Sequence, residues 1–358
     1  MNTKTIFPQT KNKIYLNTPA CGLLSKKVME QKIQDVQLFY ELGSRLINEE
    51  DLIVSKVKHK IAHIFSTEVN RIGITPNFSL AFNAILDALN PSVSFLCLEE
   101  EYPSVTLPIK SRGFNLKSIP ISSEVENDIY QSVKTYKPDI LALSKVQYLS
   151  GIHLETSFFK KLKKDFPDLK ILVDATQYLG TEDFDFKQSG IDLLIASGYK
   201  WLNAGLGIAI VMMSNEFYQD LNPKQVGSNS IKDKVKQSLK PTGFLEPGHY
   251  DLLPIKSLQT ALNLHYDDIG IDWISQHHQN LSKQAFEAFK SRKMLDDKVS
   301  KRRQHSSIFN LKISQDKFQD FEKANIILSK RGQGLRIGFH YHNTIDDLNR
   351  FLDFIVQL

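Results

Sequence analysis

Cysteine is scarce: the 358 residues contain two, Cys21 and Cys97, with no CxxC spacing and no histidine-rich cluster. Neither a disulfide framework nor a zinc site can be built from them, so no metal is expected. Long apolar runs are missing as well. No stretch approaches the roughly eighteen apolar residues needed to cross a bilayer, and the opening MNTKTIFPQTKNK lacks a signal core, so neither a membrane span nor export is expected and the reading is cytoplasmic. Charge of one sign is not in large excess: 45 basic against 40 acidic residues leave +5. The densest basic run, KVSKRR at 298–303, is short and has no interleaved aromatics, which reads as a solvated face and argues against a nucleic-acid partner.

What is present is an ordinary globular composition, 41% hydrophobic and 24% charged, in a chain long enough for two domains. Between residues 70 and 212 short apolar runs alternate with helix-length amphipathic stretches, the mark of βαβ units and a mainly parallel sheet. The predicted strands are 93–98, 116–119, 140–143, 171–173, 193–196 and 207–212, several of them apolar throughout, as strands covered on both faces must be. Residues 269–291 carry apolar positions at helical spacing and are expected to link two domains. A smaller unit follows, with a strand in SIFNLKI, a helix over 319–332, a strand around 335–339 and a last helix from Asp346.

In KILVDATQYLGTEDF an apolar strand ends on Asp174, and in DLLIASGYKW a second ends at Ser197 and Lys200. A separation of 200 − 174 = 26 residues fits a strand-helix-strand crossover, so a carboxylate and an amine meet at the carboxyl edge of the sheet, where α/β proteins bind ligands. That pair suits pyridoxal 5′-phosphate (PLP): the aspartate keeps the pyridine nitrogen protonated, and the lysine joins the aldehyde as a Schiff base. Spacing alone does not separate this from two exposed loop residues. GITPNFSLAFNAIL adds a loop and a helix capped by Asn77 or Ser79, whose free N–H groups suit a phosphate.

DATQ followed by SGYKW resembles the PLP-lysine region of class V aminotransferases, the superfamily that includes cysteine desulfurases and kynureninase, and the likeness extends over most of the chain. It implies an α/β PLP-dependent transferase fold of the aspartate aminotransferase type (fold type I). A large domain, 15–270, would hold a mainly parallel seven-stranded sheet, and a smaller α+β C-terminal domain, 271–358, would be joined by 1–14. It also implies that Lys200 is catalytic and carries PLP, that Asp174 pairs with the ring nitrogen, that Gln177 reaches the ring hydroxyl, and that Ser197, with Asn77, Phe78 and Ser79 of PNFS, holds the phosphate. Tyr102 in EEEYPSVTLP takes the place of the aromatic ring that stacks on the cofactor. GQGLRIGFHYHNTIDDLNRF is similar to the element whose arginine grips the substrate α-carboxylate, here Arg336, and a guanidinium's planar fork suits that task.

Four departures stand out. Tyr199 replaces the histidine that commonly precedes the lysine. Tyr148 in VQYLSGI replaces an asparagine, so Gln147 or Tyr148 is expected to reach cofactor or substrate differently. His249 in FLEPGHYD replaces the threonine that touches the cofactor phosphate of the other subunit, in a homodimer with shared active sites. The loop IILSKRGQGLR has no cysteine, although desulfurases need a mobile thiol there; Cys21 and Cys97 read as packing residues. The expectation is therefore an aminotransferase that exchanges the amino group of a small amino acid with a keto acid. The alternatives are a lyase of the selenocysteine-lyase type, an epimerase, or a catalytically silent PLP-fold binding protein.

Overall fold

The computed structural model describes residues 3–233 and 238–357. Seven strands form its central sheet: β1 (Ile72–Thr75), β2 (Ser94–Leu98), β3 (Asn115–Ile119), β4 (Ile140–Ser144), β5 (Lys170–Asp174), β6 (Leu193–Ser197) and β7 (Ala209–Met213), in spatial order β1-β7-β6-β5-β4-β2-β3. β7 runs antiparallel to both neighbours and the other strands are mutually parallel. Every residue of β4, β6 and β7 is buried, which explains their aliphatic composition: helices cover both faces and leave no polar side.

The six strands read from sequence are all present, within one or two residues. β1 was not among them, because IGIT is four residues long and runs straight into Pro76. It pairs with β7 from Ile72–Met212 to Thr75–Ala209, closing the sheet edge beside the helix that starts at Phe78.

The C-terminal part holds a three-stranded antiparallel sheet, β8 (Ile308–Leu311), β9 (Ser329–Arg331) and β10 (Gly334–Gly338), with β10 in the middle. The connecting helix spans Ile271–Ser291 and the last spans Ile345–Val356, where a Thr344–Asp347 capping box starts it. The helix predicted over 319–332 is only Phe318–Lys323. Asn325 takes the left-handed conformation (φ 56°), which stops the helix, and the following residues turn into the short strand Ile326–Ile327 and β9. The N-terminal segment packs on this part: Ile14–Tyr15 pairs in parallel with Ile326–Ile327. One hydrophobic cluster runs from Leu141 and Val173 of the large sheet to Phe309 and Phe351, so the two parts share a core.

Candidate active site

The parallel strands bring their carboxyl ends to one edge, where Ser144 is in register with Asp174. Asp174 is buried, and the Thr176 N–H donates to its Oδ1 at 2.8 Å. Burial pushes its carboxyl up, while the Thr176 hydrogen bonds and the Lys200 amine pull it back. Lys200 follows the end of β6 and is also buried. Burial pushes its amine down to about 8; Asp174 opposes that shift and Arg336 adds to it. The two residues thus lie within electrostatic reach of each other, as the sequence reading requires.

A concave site at this edge is lined by Asn77, Phe78, Ser79, Tyr102, Tyr148, Asp174, Thr176, Gln177, Ser197, Tyr199 and Lys200, together with Ser104, Ser144 and Val146. The helix Phe78–Ala88 points its first turn here, with the Asn77 side chain accepting from Leu80 N at 2.9 Å and Phe78 N donating to Ser197 Oγ at 3.1 Å. The Tyr102 ring centre lies 5.8 Å from Lys200 Nζ and that of Tyr199 5.5 Å. Tyr102 meets the Tyr148 ring edge-on at 5.1 Å.

Arg336 sits in the middle strand β10 and is buried. One guanidinium nitrogen donates to the Tyr148 carbonyl at 2.8 Å, while Nε has no hydrogen-bond partner among the described residues. Its pKa is pushed down to about 10 by burial, with Arg331 adding to the shift. A buried donor without an acceptor costs stability, which points to an anionic ligand that completes it.

Other sequence-predicted residues are placed differently. The Gln147 amide donates to Glu100 O at 2.6 Å and its carbonyl accepts from Leu149 N and Ser150 N, so this side chain builds its own loop while Tyr148 faces the site. Gln177 lines the site, but it donates to Pro19 O and accepts from Trp201 Nε1 at 2.8 Å. His249 lies apart, largely exposed, with Nδ1 2.7 Å from Glu50 Oε2.

Several residues escaped the sequence reading, among them Ser144 and Val146 of the lining. Glu101 is buried and accepts from Ser144 N and Ser144 Oγ, at 2.9 and 2.6 Å, and from Tyr102 N. Burial pushes its carboxyl up to about 7, with the Asp174 charge adding, so it ties the aromatic turn to the end of β4. Its only sequence signal was a third acid in EEE before Tyr102, which surface acids share. Thr176 and Ser104 also line the site, and Ser104 accepts from Ser79 Oγ at 2.9 Å.

Cys21 was read as a packing residue; it is exposed, whereas Cys97 is buried as expected. The segment around Cys21 is clamped to the lysine turn, with Gly22 N donating to Tyr199 O at 2.9 Å and Asn203 Nδ2 to Leu23 O at 2.8 Å. Burial raises the Cys21 thiol pKa and the Lys200 amine lowers it.

PLP fits this set. A helix N-terminus and a serine suit its phosphate, a buried carboxylate at a strand end suits its ring nitrogen, and a lysine with a lowered pKa suits its aldehyde. The whole chain has the fold type I architecture of PLP enzymes, a seven-stranded sheet with a small α+β unit behind the lysine edge. The family model "Aminotransferase class-V" matches residues 14–351, and the chain belongs to this family of PLP-dependent enzymes. It is 24% identical to a probable cysteine desulfurase of Borreliella burgdorferi over 69% of this chain and 63% of that protein, so it spans somewhat less than two thirds of that relative's length. A probable cysteine desulfurase of Pyrococcus abyssi is 24% identical over 78% of this chain and 73% of its own. Among solved structures, a mutant of C-DES with glycine covalently linked to its PLP cofactor superposes with a TM-score of 0.87, at 17% identity, covering 98% of both chains. The apo cysteine desulfurase of Thermococcus onnurineus NA1 superposes with a TM-score of 0.84, at 20% identity, over 99% of this chain and 96% of its own.

Proposed function

We propose that the chain acts on a small α-amino acid, with Lys200 as the residue that carries PLP and moves the substrate's α-proton. The observation that carries this is the pairing of buried Lys200 and Asp174 on neighbouring strand ends, with a buried Arg336 guanidinium whose charge adds to the lowering of the lysine's pKa. When bound, PLP supplies an aldehyde that joins an amine and a ring that draws charge away from the substrate's α-carbon. Asp174 holds the proton on the ring nitrogen, which keeps the ring electron-withdrawing. Asn77, Phe78, Ser79 and Ser197 receive the phosphate. Tyr102 and Tyr199 bound the lysine's surroundings, and Arg336 grips the α-carboxylate. With its pKa near 8, the Lys200 amine has a neutral share around neutral pH and can accept a proton. Gln147 and Gln177 act by building the walls rather than by direct contact.

Of the two chemistries, relatives named as probable cysteine desulfurases favour a lyase that breaks a bond at the substrate's Cβ. Transamination with a keto acid is the second reading, supported by the lack of a thiol in 326–336, where a desulfurase needs one. Purified protein is expected to show a visible absorbance band that Lys200→Ala abolishes. Release of alanine with a sulfur or selenium species, or of pyruvate with ammonia and sulfide or selenide, from cysteine or selenocysteine without a keto acid supports the lyase, and amino transfer to pyruvate or 2-oxoglutarate supports transamination. A wild-type protein that takes up no PLP sinks both.

A further inference from the structure

A cavity beside the site lies behind its wall, between the large sheet's loops and the connecting helix Ile271–Ser291. Its volume is about 420 Å³. The inner end is aromatic and buried: Trp201, Tyr178 and Phe286. At that end Nε2 of His278 has no hydrogen-bond partner among the described residues, and Nε2 of His153 has only the Glu182 carboxylate, 3.6 Å away and beyond hydrogen-bond reach. His278 is buried and is fixed through Nδ1, 3.1 Å from Ser307 Oγ, so its free nitrogen belongs to a held ring. Burial keeps both imidazoles neutral, His278 down to about 3. A neutral imidazole nitrogen can accept from, or donate to, a ligand. The outer end carries both signs of charge, Lys283 and Arg303 against Glu155 and Glu287.

We propose that this cavity is a binding site for an aromatic α-amino acid whose ring bears an N–H or hydroxyl. The ring would lie among the aromatic side chains, its polar tip would satisfy His278 or His153, and the ammonium and carboxylate would meet side chains of opposite charge at the mouth. A simple apolar ligand would leave the His278 nitrogen unpaired, and a purely anionic one would face the three glutamates Glu155, Glu182 and Glu287. The site is distinct from the Lys200 edge, though Trp201 and Gln177, joined by a hydrogen bond of 2.8 Å, form the wall between them. The inference is independent of the proposed reaction.

Isothermal titration of the PLP-loaded protein with L-tryptophan tests it, with L-phenylalanine as the ligand lacking the polar tip. Arg336→Ala, which disables carboxylate binding at the other site, is expected to leave L-tryptophan affinity within twofold. His278→Phe is expected to weaken it about tenfold, as loss of one buried hydrogen bond would, and L-phenylalanine to bind about tenfold more weakly. Gln279→Trp, which fills the cavity from an exposed helix position, is expected to abolish binding even if His278→Phe does not fold. No binding of L-tryptophan, loss of binding in Arg336→Ala, or full binding in Gln279→Trp overturns the proposal.

Discussion

At the scale of single residues, the site rests on charged groups held out of water. Lys200 is the clearest case, since burial lowers its pKa from 10.5 to about 8. Below pH 8 the amine is charged in both folded and unfolded chains, and its burial costs the fold the full penalty. Between about 8 and 10.5 the unfolded chain binds more protons than the folded one, so stability attributable to this group rises with pH. Lys200→Met in the PLP-stripped protein is therefore expected to gain about 1 to 3 kcal/mol at pH 7. That gain should shrink as pH climbs through 8 to 10, which thermal melts across pH will show; a gain that is flat with pH contradicts it. Asp174→Asn removes the charge that opposes burial and should lower the lysine's pKa further. In steady-state assays it is expected to cut kcat roughly a hundredfold or more, since a neutral amide cannot keep the ring nitrogen protonated. The two thiols separate by exposure: iodoacetamide followed by mass spectrometry should label Cys21 well before Cys97, whose burial both hides it and raises its pKa. Asp174 and Lys200 were legible in the sequence because each ends or closely follows an apolar strand whose direction fixes the edge where it emerges, and Arg336 was legible only through the resemblance of its flanking element. The accessibility of Cys21 was not, because it depends on a backbone clamp from residues 177 to 203, far away in sequence.

At the scale of elements, two close fits decide whether the site forms. The first is the helix beginning at Phe78, whose opening turn is ordered by the Asn77 side chain. Asn77→Ala is expected to cost about 1 kcal/mol of stability in denaturant melts. It should also weaken cofactor retention several-fold in dialysis, whereas Asn77→Ser should restore most of both. The second is Gly22, where a Cβ would stand 1.9 Å from the Lys200 carbonyl oxygen. The position demands glycine because of this close approach. Gly22→Ala has to push the lysine turn away from its strand end, so weakened PLP uptake out of proportion to the loss of melting temperature is the expected result. Parallel strands were readable because they are apolar on both faces. β1 and the break at Asn325 were not, because a four-residue strand is held by its partner's register, and a left-handed asparagine leaves no periodic trace. Gln147 shows the same limit at the site itself: its motif position suggested a ligand contact, but its amide has three backbone partners, two nearby in sequence and one 47 residues away, that a one-dimensional pattern does not show.

At the scale of the whole molecule, features left outward suggest where a second copy belongs. The helix Lys26–Leu42 exposes Met29, Ile33, Val36 and Tyr40 along one face, and Leu80 in the first turn of the helix Phe78–Ala88 is exposed, as is Leu107. His249 is likewise outside its own chain's site. A homodimer in which His249 reaches the neighbouring copy's phosphate accounts for both, and mixing inactive variants tests it. Suppose Lys200→Ala and His249→Ala are each inactive and are refolded together in equal amounts. Random pairing makes about half of the dimers hybrids. If His249 serves the other subunit's site, one site of each hybrid combines both defects and the other combines neither. About a quarter of wild-type activity should then return. If His249 serves its own subunit, every hybrid site carries a defect and no activity returns; if it serves neither site, His249→Ala alone keeps wild-type activity. Ile33→Glu in both copies separates assembly from catalysis, because it should shift the protein to monomer in sedimentation and remove the recovered activity together with the hybrids.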